Sequence, residues 1–564
     1  MTELTDRAAE VRARRVPGVE GRAGKFPGPS LIPALNAIQA RLGWLPRAEL
    51  EELARDTRRP RYEIEGLISF YPHFRTSPPA KAALHVCHDL TCWLHGADER
   101  IAELRSRYDD DVEVELVEVS CLGRCDSAPA AARDERAAQV RPGGELVAVE
   151  ATRPRSEPWP NDPYAPGEER YRVLRALLSG ELSADRVVAA LKDSGLRGMG
   201  GAGFPTGTKW ELVAEQEATP KYAICNADES EPGTFKDREI MATQAHLVVE
   251  GLALGMVVTG CDEGWVFIRH EYGPEEEVIR TAIDELHATG LLGERRVEVF
   301  ASPGGYILGE ESALIECMEG HRGEPRNKPP FPGIYGLWGK PTLMNSVETF
   351  AHVPVILERG GDWWRSQGAN GSAGLKFFAV SGHVERPGVY CVPMGTTARE
   401  LLELAGGVSG GAALGAIQPG GASSNFLGPD GLDVPLDFGP LAEAGSMLGS
   451  GALVVMAQGT DLLAAATNVL RFFRNESCGK CVPCRVGSHK AHEILTELLA
   501  SGGGAGDVDE RIAQLEETLR LTSICGLGQV ALGPVMSVVG LQRGATEARP
   551  QPRPGTGGGQ GSGA

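Results

Sequence analysis

No stretch of 18 consecutive apolar residues occurs in the 564-residue chain, so neither a spanning helix nor direct membrane insertion is expected. The first residues, MTELTDRAAEVRARR, carry acidic side chains and no apolar segment. They do not read as a secretory signal, and the expected compartment is cytoplasmic. Positive charge is also short. Against 76 Asp and Glu stand 56 Lys and Arg, a net charge of −20, which disfavours nucleic acid and anionic membrane as partners. Twelve cysteines are too few to staple a chain of this length by disulfides. The remaining composition, 42% hydrophobic and 23% charged, is that of a globular protein with length for several domains.

Glycine, by contrast, is concentrated. Residues 195–210 read GLRGMGGAGFPTGTKW, with glycine at 195, 198, 200, 201, 203 and 207. Glycine reaches positive φ and lets backbone N–H groups approach an anion. Lys209 adds a cation, and Phe204 and Trp210 add flat apolar surface for a ring system. The combination suits a phosphate-bearing cofactor; a Gly-rich turn between helices is the bland alternative. The order is not the P-loop pattern G-x-x-x-x-G-K-[ST], and the stretch is not read as a Rossmann fingerprint. Further on, 225–238 (CNADESEPGTFKDR) gathers Asn226, Asp228, Glu229 and Glu231.

Eight cysteines lie at ligand spacing. Cys87-x4-Cys92 and Cys121-x3-Cys125 each follow an expected strand, the first in ALHVC, the second around 112–116. Two such pairs can supply four thiolates to a [2Fe–2S] cluster, with a Zn(Cys)4 site as the competitor. Cys478-x2-Cys481-x2-Cys484 with a remote Cys525 is the usual set for a [4Fe–4S] cube, whereas zinc normally takes two separated pairs. Cys225, Cys261, Cys317 and Cys391 stand alone and read as core or surface residues.

Three more stretches complete the pattern: GGYILGEE (304–311), GEPRNKPPFPG (323–333) and PTLMNSVET (341–349). With the glycine, acidic and cysteine motifs, nearly the whole chain resembles the flavin- and NADH-binding subunit of respiratory complex I and its relatives. Those relatives are the diaphorase subunits of NAD-linked hydrogenases and the beta subunits of NAD-dependent formate dehydrogenases. The resemblance implies FMN, NAD(H), one [4Fe–4S] and one [2Fe–2S] as cofactors. It places Gly198, Gly200, Gly201, Gly203 and Lys209 at the FMN phosphate side, and Asn226 and Asp228 at the ribityl chain or ring. Tyr306 and Gly309 line the flavin pocket, and Asn345 and Thr349 belong to the same cofactor site. Glu229, Glu231, Glu310 and Glu311 surround the nucleotide ribose and nicotinamide. Phe204, Lys328 and Phe331 contact NAD(H). Cys87, Cys92, Cys121 and Cys125 hold the [2Fe–2S] cluster; Cys478, Cys481, Cys484 and Cys525 hold the cube. Met199, Leu212, Ser346 and Leu308 depart from the pattern, and none is a cluster ligand.

Nicotinamide moves electrons in pairs, a cluster one at a time, and a flavin does both, so the flavin belongs between them. Hydride transfer needs no amino-acid nucleophile; Glu311 is the one side chain given a candidate catalytic role. Fusion of the [2Fe–2S] and flavin modules is shared by formate dehydrogenase beta subunits and some hydrogenase diaphorases. PGGASSNFL (419–427), PLDFGPL (435–441) and SICGLGQVALGPV (523–535) look closest to the formate group. That implies a partner alpha subunit with a molybdenum or tungsten cofactor and further iron–sulfur clusters. Hydrogenase subunits, or a complex I-type NADH dehydrogenase, are the alternative. A non-catalytic assembly protein would tend to lose ligands, and none is lost.

The expected fold is multidomain α/β and α+β. A mobile segment (1–28) precedes a helical bundle plus thioredoxin-like [2Fe–2S] domain (29–150). A linker (151–168) leads to an α/β FMN/NAD-binding domain (169–360). A β-grasp, SLBB-like domain (361–458), a wedge between flavin and cluster units, precedes a helical [4Fe–4S] domain (459–544) and a disordered tail (545–564).

Overall fold

A computed structural model describes residues 30–108, 113–149, 158–164 and 167–543. The segments expected to be mobile or disordered at 1–28 and 545–564, residue 112 and linker residues 151–157 lie outside these. Helices Ile32–Leu42, Arg47–Thr57 and Arg61–Ile68 open the fold. The first stops at Gly43, whose φ of 78° is left-handed. A five-stranded sheet follows: β1 (Ala82–Cys87), β2 (Val114–Val119), β3 (Ala130–Arg133), β4 (Arg136–Arg141) and β5 (Glu145–Ala148), in the order β2-β1-β3-β4-β5. β1 and β2 are parallel and the other pairs antiparallel. β3 owes its formation to its neighbours. Its Ala-rich sequence has no β-branched signal, and it forms through pairing with β1 and β4.

The expected linker needs correction in its described part. Trp159, Asn161 and Tyr164 are buried. The Trp159 indole N–H donates to Thr243 (2.9 Å), and the Tyr164 hydroxyl donates to the Glu250 carboxylate (2.9 Å). A Pro- and acid-rich composition hides two aromatic anchors whose polar ends find hydrogen-bond partners in the core helix.

Four parallel strands, β6 (Tyr222–Ala227), β7 (Glu263–Arg269), β8 (Arg296–Ser302) and β9 (Thr342–Ser346), are ordered β8-β7-β6-β9. β6, β7 and β9 are nearly buried throughout, whereas edge strand β8 alternates buried and exposed positions. Helix Lys236–Thr259 connects β6 to β7, and helix Gly273–Ala288 connects β7 to β8. Lys236–Thr259 is long and apolar enough to cross a bilayer, yet its apolar window is 83% buried within the protein. It is the core helix against which helix Val347–Arg359 packs.

The third sheet, β10 (Leu375–Gly382), β11 (Gly388–Pro393), β12 (Leu414–Gln418) and β13 (Ala452–Ala457), is ordered β11-β10-β13-β12. The Thr397/Glu400 capping box starts its helix, Ala398–Leu404. This sheet is bolted to the helices of the parallel-sheet unit by buried charge. Glu348 accepts from Lys376 (2.6 Å) and lies 2.9 Å from Lys236, all three being fully buried. Burial raises Glu348, but the two lysines outweigh it and hold it far below the carboxylate range.

The last section is helical: Leu462–Asn475, Val482–Ala500, Glu510–Thr522, Gly526–Val530 and Gly533–Arg543. Cys481 serves as the N-cap of helix Val482–Ala500, and Pro483 suits its first turn.

Candidate functional site

The parallel sheet sets the site. From β6 the chain crosses to β7 on one side, while β9 lies on the other, so the connections diverge at the carboxyl ends of β6 and β9. Ligands of open α/β sheets bind at such a switch point. Asn226 of β6 pairs in register with Ser346 of β9 there. The glycine stretch arrives at the same edge, between helices Ala184–Ser194 and Thr206–Ala214. Gly198, Gly200 and Gly203 do have G-x-G-x-x-G spacing, but a helix rather than a strand precedes them, which removes the Rossmann context.

This loop is a close-fitted cradle. A Cβ on Gly203, at φ +63°, would lie 2.6 Å from the Phe438 ring; one on Gly200 would lie 3.2 Å from the Ser346 Cβ. The loop is held from behind. The Met199 N–H donates to Thr349 Oγ1 (2.9 Å), and the Arg197 Nε–H to the Gly203 carbonyl (2.6 Å). The Trp210 indole donates to Asn345 Oδ1 (3.0 Å), and Lys209 Nζ to the Met344 carbonyl (2.9 Å). Thr349, Asn345 and Lys209 thus shape the loop in this structure.

Two buried acidic groups follow the end of β6. The Asp228 N–H donates to Asn226 Oδ1, while Asn226 Nδ2 donates to the Gly309 carbonyl (2.9 Å). Asp228 Oδ2 is buried without a partner, and burial pushes the carboxyl up to about 8. Glu231 accepts from the Ser423 N–H (2.7 Å) and is pushed by burial to about 7. Glu229 behaves differently. Its carboxylate accepts the N–H groups of Asp237 (2.8 Å) and Arg238 (3.0 Å) at the start of the core helix, and Tyr272 donates to it. Expected beside the nucleotide, it is spent on orphan helix donors.

On the outer side, Lys328 Nζ donates to Glu310 and Glu311, each at 2.7 Å. Glu310 also caps its helix through Ser312 and Ala313. Burial raises Glu311, but Lys328 and Lys209 outweigh it and keep the carboxyl below its ordinary value. Phe204 and Phe331 are 44% and 48% exposed, flat surfaces open to a planar ligand. The cradle that a Cβ would fill, the orphaned buried carboxylate and the exposed rings fit a flavin with a dinucleotide beside it.

The first cysteine set collects at one sheet end, because β1 and β2 are parallel neighbours with Cys87 opposite Val119. The Cys121 and Cys125 sulfurs are 3.6 Å apart, and the N–H groups of Ala130 and Gly123 point at Cys92 Sγ (3.3 Å) and Cys121 Sγ (3.4 Å). Four buried thiols with N–H donors to sulfur fit a [2Fe–2S] centre. In the second set, a Cβ on Gly528 would lie 2.9 Å from the Cys484 Cβ, so the Cys525 turn closes tightly on the C-x2-C-x2-C turn. The Ser477 hydroxyl lies 3.2 Å from Cys484 Sγ.

Sequence reasoning misses the residues that join these parts. Glu476 accepts from the Ser120 hydroxyl (2.6 Å) and the Tyr306 N–H (2.8 Å). It thereby touches the loop before Cys121 and the expected flavin-pocket tyrosine, two positions ahead of Cys478. Arg238 pairs with Asp126 (2.7 Å) and Arg124 with Glu275 (3.1 Å), closing the first cysteine loop onto the flavin unit. Glu476 stands at the edge of a cysteine motif, which is a signal of its own; the arginines carry no local signal.

Family models match the chain in four places: the Nuo51 FMN-binding domain at 191–355, the thioredoxin-like [2Fe–2S] ferredoxin at 25–142, the NADH-ubiquinone oxidoreductase-F iron–sulfur binding region at 464–549 and the SLBB domain at 377–423. An F subunit of the NADH-quinone oxidoreductase of Rhizobium meliloti is 44% identical over 64% of this chain and 87% of its own length. The NADP-reducing hydrogenase subunit HndC of Solidesulfovibrio fructosivorans is 42% identical over 65% of this chain and 76% of its own. A chain in the crystal structure of an NAD+-reducing [NiFe]-hydrogenase in the air-oxidized state is 30% identical, with a TM-score of 0.79 over 92% of this chain and 93% of that one.

Proposed function

We propose that this chain, which belongs to the family of NADH-quinone oxidoreductase F subunits, passes hydride between NAD(H) and FMN and single electrons to and from its two iron–sulfur clusters. It is a flavin iron–sulfur oxidoreductase component that works with partner oxidoreductase subunits. The observation that carries the route is Glu476, which bridges the loop before Cys121 and the backbone of Tyr306 from the motif of Cys478. In this reading the glycine cradle, Asn226, Asp228 and Glu231 hold FMN. Glu310, Glu311 and Lys328 take the nucleotide, with Phe204 and Phe331 against its planar parts. Bound flavin supplies the conversion between two-electron and one-electron chemistry. The chain's own residues orient it, exclude water and tune the charge around it.

The finer reading is the beta subunit of an NAD-dependent formate dehydrogenase, turning formate and NAD+ into CO2 and NADH with a molybdenum or tungsten alpha subunit. It rests on the stretches 419–427, 435–441 and 523–535. Two of these lie against the flavin cradle, through Ser423 on Glu231 and Phe438 beside Gly203. The second reading, a diaphorase subunit of an NAD-reducing hydrogenase, is favoured by the likeness over 92% of the chain to the hydrogenase structure. Anaerobic purification from the native host with its partners separates them, by metal content and by formate- and hydrogen-dependent NAD reduction. Molybdenum or tungsten with formate activity is expected. Nickel with hydrogen activity assigns the hydrogenase, and absence of FMN overturns the whole reading.

A further inference from the structure

Arg269 ends β7 with its guanidinium buried, and four of its five N–H donors are spoken for. Nε and one NH2 proton grip the two oxygens of Glu271 (3.0 and 2.7 Å). NH1 donates to the Glu229 carbonyl (2.5 Å) and NH2 to the Cys121 carbonyl (2.7 Å). An ion pair with Glu271 alone would not need the last two bonds. One carbonyl belongs to the acidic loop of the flavin cleft, the other to a proposed [2Fe–2S] ligand. We propose that Arg269 is the positioning residue that fixes the [2Fe–2S] loop to the flavin loop and, by its fixed charge, raises the reduction potential of that cluster.

One-electron reduction adds a negative charge to a [2Fe–2S] centre. A cation held beside it in a desolvated site stabilises the reduced form. Arg269 is 2% exposed, and its guanidinium lies 5.1 Å from the Tyr272 ring, so water does not screen it. Glu271 has the opposite sign. Burial raises it, but Arg269 and His270 outweigh burial and hold it far below the carboxylate range. It is therefore a full negative charge in the same cluster of groups, and its net effect on the cluster opposes that of Arg269.

The inference rests on the assignment of Cys87, Cys92, Cys121 and Cys125 to the [2Fe–2S] cluster. The test is a potentiometric EPR titration of the purified full chain, with FMN and iron content measured alongside. In Arg269→Gln the reduced-to-oxidised ratio of the [2Fe–2S] signal at fixed potential is expected to fall by about tenfold, about 59 mV for a one-electron couple. In Glu271→Gln the ratio is expected to rise. In both variants the [4Fe–4S] midpoint stays within a small fraction of that change. Opposite signs separate an electrostatic role from structural damage, which would move both variants alike. Should Arg269→Gln fail to load the cluster, Glu271→Gln decides alone. An unmoved or reversed midpoint, or an equal shift of both clusters, overturns the inference while leaving the ligand assignment standing. Absence of any [2Fe–2S] signal in the unaltered chain removes that assignment and the inference with it.

Discussion

The two cysteine sets differ in their exposure. Cys87, Cys92, Cys121 and Cys125 are all buried, none above 5% exposed. Of the second set only Cys484 is buried, while Cys478, Cys481 and Cys525 are half-buried. Val482 (59%), beside Cys481, Val486 (53%), two residues after Cys484, and Leu521 (65%), four residues before Cys525, stand in solvent. Electron transfer between proteins weakens steeply with separation, so a centre that serves a separate subunit has to lie near the surface. Under the proposed function this difference makes the second set the exit to a partner and the first a side centre reached from the flavin.

The largest expected effect tests that asymmetry directly. Cys481→Ala should abolish electron delivery to the partner subunits while NADH-to-ferricyanide activity, which needs only the flavin, persists. Cys121→Ala should remove two irons and leave most of the delivery intact. Equal loss in both variants breaks the comparison.

The proposed flavin site gives the next effect. Asp228 has its folded-state value raised to about 8 by burial, so its contribution to stability is present in full at acid pH and is lost as pH rises toward 8. In cofactor-free protein, Asp228→Asn should therefore lose less stability than the parent between pH 5 and 8. The difference should be on the order of 1 kcal/mol per pH unit, read from urea midpoints. Identical slopes would remove Asp228 from the account.

A smaller change is expected at the cradle. Gly203→Ala places a Cβ at φ +63° against Phe438, which should cost about 1–3 kcal/mol. It should show as weaker FMN retention on gel filtration, with both cluster signals unchanged. The smallest effect is expected at a helix cap beside the third sheet. Thr397→Ala removes a helix cap and should lower thermal stability by about 1 kcal/mol, without moving any potential. A shifted cluster midpoint there would show that the third sheet is more than a wedge.

The candidate cluster residues stand out because they lie close together in sequence: C-x2-C-x2-C and the two shorter pairs are local patterns, and the fold gathers Cys87, Cys92, Cys121 and Cys125 in buried positions. Helices with clear periodicity, such as Ala97–Tyr108, are legible for the same local reason. What stays hidden is tertiary. β3 is a strand only because β1 and β4 flank it. Trp159 and Tyr164 look like linker residues until Thr243 and Glu250 come to meet them. Glu229 sits between Asp228 and Glu231 in one acidic stretch, yet it turns back onto helix N–H groups, which no spacing rule distinguishes. Arg269 reads as the polar end of an apolar strand; its grip on two loops exists only in the folded chain.

The most direct test of the central claim is EPR of the anaerobic, NADH-reduced chain in three forms: unaltered, Cys121→Ser and Cys481→Ser. The account predicts FMN and two distinct cluster signals in the unaltered chain, with Cys121→Ser removing only the [2Fe–2S] signal and Cys481→Ser only the [4Fe–4S] signal. One substitution abolishing both signals, or neither substitution abolishing any, would contradict two separate clusters served by one flavin.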